Sequence, residues 1–460
     1  MFRLKHSTKP TPERAALALC ALACLLALAP APSSTAAGRA GAALNEGDRG
    51  DGGDEGARAE TYSTPEGRLR VFDEVWEQVR ERYFDPGFQG VDWQGARQQF
   101  RPRAAEARDR AELYAVLRRM LGTLRDPHTR VFAPGESTDW RVQRYVSVGV
   151  AVRELSGQVV VTDVERDSEA EEAGLRAGDA VLALDGEPAA AVVARKLAEQ
   201  GPASSAAARL LAAARIFEGE RDTPVRVTYA RDGERREREA TLRRQPRTRL
   251  PSFEVRGQGA GVRLVRFNIF TPEVAAQFAR ALKGRLKDAR ALVIDLRDNG
   301  GGEAESMADL ASTLLPAGLS LGRFTDRAGA VRLEPHTRTA LLSTADSFER
   351  FRRPVVLLTN ARTASAAEVF AAALRESNRA SVIGEATCGC VLGIRRRHGL
   401  PDGGVLDVSE MDYHTAAGTR LEGTGLRPDV TVEPTRDALR RRRDRALERA
   451  LEILKDSKGG

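Results

Sequence analysis

Two segments, ALVIDLR at Ala291–Arg297 and PVVLLTN at Pro354–Asn360, limit what this chain can become more than any other feature. Each is an apolar run with no polar alternation, which marks a strand covered on both faces. Each also runs straight into a loop of small residues and then a helical pattern. The surrounding chain keeps this rhythm. Strand Val262–Phe267 leads to helix Pro272–Lys287, helix Glu303–Leu315 follows the first run, and helix Ala366–Glu376 follows the second. Such alternation predicts an α/β sheet flanked by helices, with its chemistry at the strand ends after ALVIDLR and PVVLLTN.

The rest of the 460 residues exceeds one compact core. Arg3, Lys5, Lys9 and Arg14 precede an apolar stretch, Ala15–Ala29, and small residues reach an A-x-A-like site at Thr35-Ala36-Ala37. This pattern predicts a signal peptide over 1–37 and an exported, periplasmic or envelope-associated protein. The apolar stretch is short for a membrane span, so no integral span is expected after cleavage. Cys24 follows Ala21-Leu22-Ala23 as in a lipoprotein box, yet the apolar run continues past it. Residues 38–60 are rich in Gly and charge and read as a disordered linker. The net charge of +7 comes with both signs interspersed and only 5% aromatics, so a nucleic-acid partner is not expected. The basic run Arg440–Arg443 reads as a solvated helix face.

Three bodies follow. In 61–140, Leu69, Val71, Phe72, Val75, Trp76, Val79 and Tyr83 form a helical stripe, and Ala111–Leu124 is a second amphipathic helix. In 141–247, strands are expected at Tyr145–Val152, Gln158–Val164 and Ala180–Leu184, with AGLRAGDAVLALDGEP supplying a helix end, a turn and a strand. Residues 189–220 are a long Ala-rich helical stretch. This segment resembles a circularly permuted bacterial PDZ domain. In that resemblance Val148, Gly149 and Val150 take the place of the peptide-carboxylate loop, where successive amides bind an anion and a strand edge accepts the peptide. The α/β peptidase-like body is 248–435, and 436–460 is a C-terminal helix and tail, expected to pack back on the helical segment.

The strand-end loops carry the chemistry. DLRDNGGG (Asp295–Gly302) places three glycines where amides can converge on an oxyanion. In TNARTASAAEVF, Ser365 stands at the mouth of an apolar helix, where it fits either a nucleophile or an ordinary N-cap. These motifs, with LRDPHTRVFAP, TCG and GLRPDV, resemble the C-terminal processing (tail-specific) serine peptidases from Pro65 to Leu454. The resemblance implies Ser365 as nucleophile, oxyanion amides from Gly301, Gly302 and Ala366, and a PDZ domain presenting protein C-terminal tails.

One position departs from that family. The resemblance places a lysine base 25 residues after the serine; this chain has Cys390 there, in TCGCV, and Ile394 where a glutamine is usual. A neutral thiol is a poor base. In the related tricorn-type peptidases a histidine and a glutamate serve the serine, and His128 and Glu422 resemble that pair, although Pro127 replaces the serine found beside the histidine there. His398 and His414 are further candidates, as loop residues. An inactive tail-binding adaptor is the rival reading. In an exported chain Cys388 and Cys390 fit a disulfide, two thiols or turn packing. Without nearby His they make a poor zinc site, and no metal or cofactor is expected.

Overall fold

Thr64 starts the first helix. Its hydroxyl accepts the Gly67 N–H at 3.1 Å, and Pro65 occupies the first turn, where a missing N–H costs nothing. The computed structural model describes residues 62–198, 205–339 and 349–456, so the expected signal peptide and linker lie outside the described residues. Helix α1 (Pro65–Arg82) buries Val71, Phe72, Val75, Trp76 and Val79, as its stripe predicts. Asp92 and Asp109 cap α2 (Trp93–Ala105) and α3 (Arg110–Gly122) through the Gly95 and Glu112 N–H groups. A short strand, β1 (Arg130–Phe132), follows.

The strand expected at Tyr145–Val152 is two strands, β2 (Gln143–Ser147) and β3 (Val150–Leu155). Gly149, at φ +79°, turns the chain between them, and a Cβ there would meet the Ser168 Cβ at 2.5 Å. Only glycine passes. Next come β4 (Gln158–Val164), α4 (Glu169–Glu172), β5 (Ala180–Leu184) and β6 (Glu187–Pro188). The Ala-rich stretch is two helices, α5 (Ala189–Ala198) and α6 (Ser205–Ala214), packed on each other. After them run β7 (Pro224–Ala230), β8 (Arg238–Arg243) and β9 (Gln245–Arg249). The sheet order is β3-β4-β5-β7-β8, with β6 on β5. β3 is therefore an edge strand, and α6 packs against it. β9 returns to pair antiparallel with β2 as a separate ribbon.

The remaining chain builds the peptidase-like body. Its main sheet uses β10 (Phe253–Gly257), β11 (Val262–Phe267), β12 (Ala291–Asp295), β15 (Val355–Thr359), β16 (Ala380–Gly384) and β19 (Val430–Thr431), in that spatial order. Only β10 runs antiparallel. Helices α7 (Pro272–Lys283), α8 (Ala304–Ser312) and α9 (Ala366–Glu376) cover one face. α7 stops short of Lys287 because Gly284 ends it. There Phe278, Leu310 and Phe370 meet Ile294 and Leu357, each such burial contributing about 1.5–3 kcal/mol. The C-terminal segment breaks at Arg442, φ +54°, into α10 (Arg436–Arg440) and α11 (Arg445–Asp456). α11 does not return to the N-terminal helices as expected. Ala446, Ala450 and Leu454 cover Val293, Val356 and Leu358 on the second sheet face, which would otherwise lie bare.

A smaller sheet joins the bodies. β18 (Val405–His414) pairs with β1, with β17 (Gly393–Gly399) and with β13 (Arg323–Thr325), which in turn pairs with β14 (Val331–Leu333). Leu392, Leu400, Leu406 and Val408 seal the apolar faces of α1, α2 and α3. The result puts β12 and β15 side by side at the centre, with their C-terminal loops adjacent.

Candidate active site

The glycine loop after β12 is held by its own asparagine. Buried Asn299 donates from Nδ2 to the Phe267 carbonyl at 3.0 Å and accepts the Gly301 N–H on Oδ1 at 2.9 Å. Its carbonyl takes the Ala364 N–H, also at 3.0 Å, which binds the loop to the segment before Ser365. Gly301 has φ +101°, and a Cβ on it would lie 2.6 Å from the Ser365 Cβ. Gly302 has φ +138°, and a Cβ there would strike the Phe270 carbonyl oxygen at 2.3 Å. Both glycines are steric requirements. The Gly301 N–H, expected among the oxyanion donors, is already given to Asn299. Among the described residues the Gly302 and Ala366 N–H groups have no protein acceptor.

Ser365 lies at the start of α9 with φ +55° and ψ −126°. An ordinary N-cap sits in the extended region. A non-glycine residue held here carries roughly 1–3 kcal/mol of local strain, a feature that clusters at functional sites. The surroundings fix it: the Ser365 N–H donates to the Cys390 carbonyl at 2.9 Å and to Glu368 Oε2 at 3.1 Å. Thr363 completes the turn by donating to the Leu296 carbonyl at 2.9 Å.

Glu368, absent from the sequence-predicted site, organises this corner. Its Oε1 accepts Thr387 Oγ1 at 2.5 Å and the Gly389 N–H at 2.8 Å, while Oε2 also accepts the Cys390 N–H at 3.0 Å. Burial pushes this carboxyl up, against the pull of those bonds and of Ser365. The spacing Ser365-x-x-Glu368 is a capping-box pattern and was the available signal.

Cys388 and Cys390 form a disulfide. Both are buried with Ala207 and Leu210 of α6 and with Ala361, so the PDZ-like body packs directly on the loop that carries position 390. The described lysines lie elsewhere: Lys196 pairs with Glu218 at 3.1 Å, Lys283 and Lys455 are exposed near helix C-termini, and Lys287 is exposed in the turn after α7.

His128 lies in the turn between α3 and β1. Asp126 shapes that turn by accepting the His128 N–H at 2.9 Å and Thr129 Oγ1 at 2.6 Å. Burial alone would raise the Asp126 carboxyl, but hydrogen bonding and charge from His128, with help from Ser409 and Thr129, hold it below the usual range. The His128 Nδ1 is buried without a hydrogen-bond partner, 3.6 Å from Asp126 Oδ1. Glu422 accepts the Val391 N–H at 2.7 Å, one residue beyond the carbonyl that holds Ser365. Burial raises its carboxyl to about 7, with the Val391 bond and the His128 charge opposing. Thus Asp126, His128 and Glu422 share one electrostatic neighbourhood, and Glu422 and Ser365 both bond the Cys390–Val391 segment. Among the described residues His128 makes no hydrogen bond to Ser365. His398 and His414 are strand residues rather than loop residues, and His398 is spent on buried Glu410 at 2.7 Å.

In the PDZ-like body Val148 and Val150 are buried, and the Gly149 N–H donates to Ser147 Oγ at 2.9 Å. Any contact of this loop with a peptide is therefore left to the backbone of Val148 and Val150.

A PDZ-like body set on a helix-flanked sheet, with a serine and a glycine loop at adjacent strand ends, is a peptidase architecture. Residues 259–432 match peptidase family S41, residues 146–242 the PDZ domain and residues 65–122 the tricorn protease C1 domain. The chloroplastic C-terminal processing peptidase of Tetradesmus obliquus is 30% identical over 388 residues, spanning 79% of this chain and 77% of that one. The carboxyl-terminal-processing protease of Synechocystis sp. is 29% identical over 368 residues, spanning 78% and 79%. Among solved structures, the photosystem II D1 C-terminal processing protease has a TM-score of 0.51 at 27% identity, covering 80% of this chain and 93% of that one. Mature CPAF shares the fold, with a TM-score of 0.63 at 14% identity and coverage of 86% and 99%. The chain belongs to the C-terminal-processing peptidases of family S41.

Proposed function

We propose that this protein is an exported serine endopeptidase that processes the C-terminal tails of proteins, with Ser365 as nucleophile. The observation that carries the reading is the Ser365 backbone at φ +55°, pressed against Gly301 at the mouth of α9. In this mechanism Oγ attacks the scissile carbonyl, and the oxyanion is met by the Ala366 N–H and the Gly302 N–H. His128 takes the serine proton and returns it to the leaving amine, in place of the missing lysine. Water then releases the acyl group. Glu422 supports the imidazolium when ionised. The backbone at Val148 and Val150 and the edge of β3 receive the tail. The leader-like N-terminus and the disulfide support export.

A second reading, an inactive tail-binding adaptor, draws on the lack of a His128–Ser365 hydrogen bond. Incubation with an unfolded protein bearing an apolar C-terminus separates the two. The enzyme reading expects discrete fragments from the wild type and none from Ser365→Ala. Fragments from both, or binding without fragments from the wild type, would contradict it.

A further inference from the structure

A cleft of about 1440 Å³ separates the PDZ-like body from the strand ends of the peptidase sheet. Its walls carry twelve arginines against seven carboxylates, with no lysine and no aromatic side chain. Most of those carboxylates are already neutralised. Asp179 is held by Arg231, Asp232 by Arg436 and Arg440, Asp298 by Arg266, Glu385 by Arg153, and Asp444 by Arg297. Only Asp163 and Glu171 remain without a basic partner among the described residues. On the opposite side stand Arg166, Arg176, Arg249, Arg442 and Arg445, which line the cleft with no ion pair among the described residues. The cleft is therefore built with surplus positive charge that the protein does not use on itself.

Part of that charge is directed toward the glycine loop of the candidate site. Gln143 and Arg249 are register partners on the β2–β9 ribbon, so their side chains are neighbours on one face. The Gln143 Nε2 lies 3.7 Å from where a Gly300 Cβ would stand, which puts Arg249 next to the glycine loop. The following residue, Leu250, gives its carbonyl to Asn268 Nδ2 at 2.9 Å, and the Asn268 carbonyl takes the Gly300 N–H at 3.3 Å. Arg362, three residues before Ser365, lines the same cleft. Its nearest carboxylate is Asp298, 3.9 Å away.

We infer that this cleft selects acidic polypeptides, with Arg166, Arg249 and Arg442 holding glutamate or aspartate side chains of the segment that runs from the PDZ-like body to Ser365. This rests on the tail-processing reading for the direction of the substrate, but the selection itself is a binding property. Guanidinium groups suit carboxylates, and complementary charge steers encounter as well as affinity. Absence of stacking rings disfavours single-stranded nucleic acid as the occupant.

The test measures binding to the Ser365→Ala protein, so it does not depend on turnover. Two fluorescein-labelled peptides of equal length and identical apolar C-terminus are compared by anisotropy, one with a run of glutamates and one with glutamines. The glutamate peptide is expected to bind about tenfold more tightly at low salt, as several exposed charge pairs together would give, with the advantage shrinking as salt rises. Adding Arg166→Gln, Arg249→Gln and Arg442→Gln should remove most of that advantage while the glutamine peptide binds as before, which also shows that the variant folds. Equal binding of both peptides would overturn the inference. So would an unchanged glutamate preference in the triple variant, or tighter binding of a single-stranded oligonucleotide than of the glutamate peptide. Failure of wild-type cleavage would bear on the catalytic reading alone.

Discussion

Four donors converge on the Glu368 carboxylate, from Ser365, Thr387, Gly389 and Cys390, and this makes the serine turn and the disulfide loop one unit. Glu368→Ala would leave buried donors without an acceptor, at about 1–3 kcal/mol each. A melting temperature lower by several degrees is expected, with Glu368→Gln falling less; no change in the alanine variant would contradict this role. Glu422 makes a different prediction. Its folded carboxyl titrates near 7, against an ordinary value of 4.5. The unfolded chain therefore binds fewer protons between those values, and stability falls as pH rises through the interval. The loss is on the order of 3 kcal/mol and is complete above about pH 7. Glu422→Gln should flatten that part of the curve in denaturation series across pH; parallel curves for the two proteins would refute it. Ser365 and the glycine loop were legible because their motifs carry steric demands. Glu368 was not, because a glutamate in an apolar helix reads as solvent-facing until its burial is known.

At the scale of elements, a largely buried ion pair joins the PDZ-like body to the peptidase sheet, beside the apolar contact under α6. Arg153 on β3 donates to both oxygens of Glu385, just beyond β16, at 3.0 and 2.5 Å. Breaking such a pair from one side leaves an uncompensated charge, at about 3–5 kcal/mol, whereas removing both partners is much milder. Arg153→Met and Glu385→Leu should each lower the thermal midpoint, and the double variant should recover much of the loss; additive losses would contradict the pairing. The sequence showed the α/β alternation and both strand ends, since periodicity reports burial directly. It missed α2, whose Gly95 and Pro102 hide a buried stripe of Trp93, Ala96, Phe100 and Ala104. It merged β2 with β3, because the break at Gly149 depends on the distant Ser168. It misplaced the C-terminal helix, since the helix's apolar face does not say which surface needs cover.

Across the whole molecule, the chain keeps a peptidase framework with Cys390 at the position where the family resemblance places a lysine. Position 390 is closed into a disulfide beneath α6, so the proposed mechanism draws its proton acceptor from another body. His128, with an unpartnered buried Nδ1 and Asp126 beside it, is the residue the N-terminal body offers. His128 and Ser365 are not hydrogen-bonded among the described residues, so the proposed mechanism requires tail binding to bring them together. The measurement that tests this most directly is the rate of covalent labelling by a fluorophosphonate probe, with the modified residue located by mass spectrometry. A single adduct on Ser365 is expected, accelerated by an apolar C-terminal peptide. The rate is expected to fall about 10²–10⁴-fold in His128→Ala and to change little in Cys390→Ala. Absence of any Ser365 adduct in the wild type, or equal labelling of wild type and His128→Ala, would contradict it.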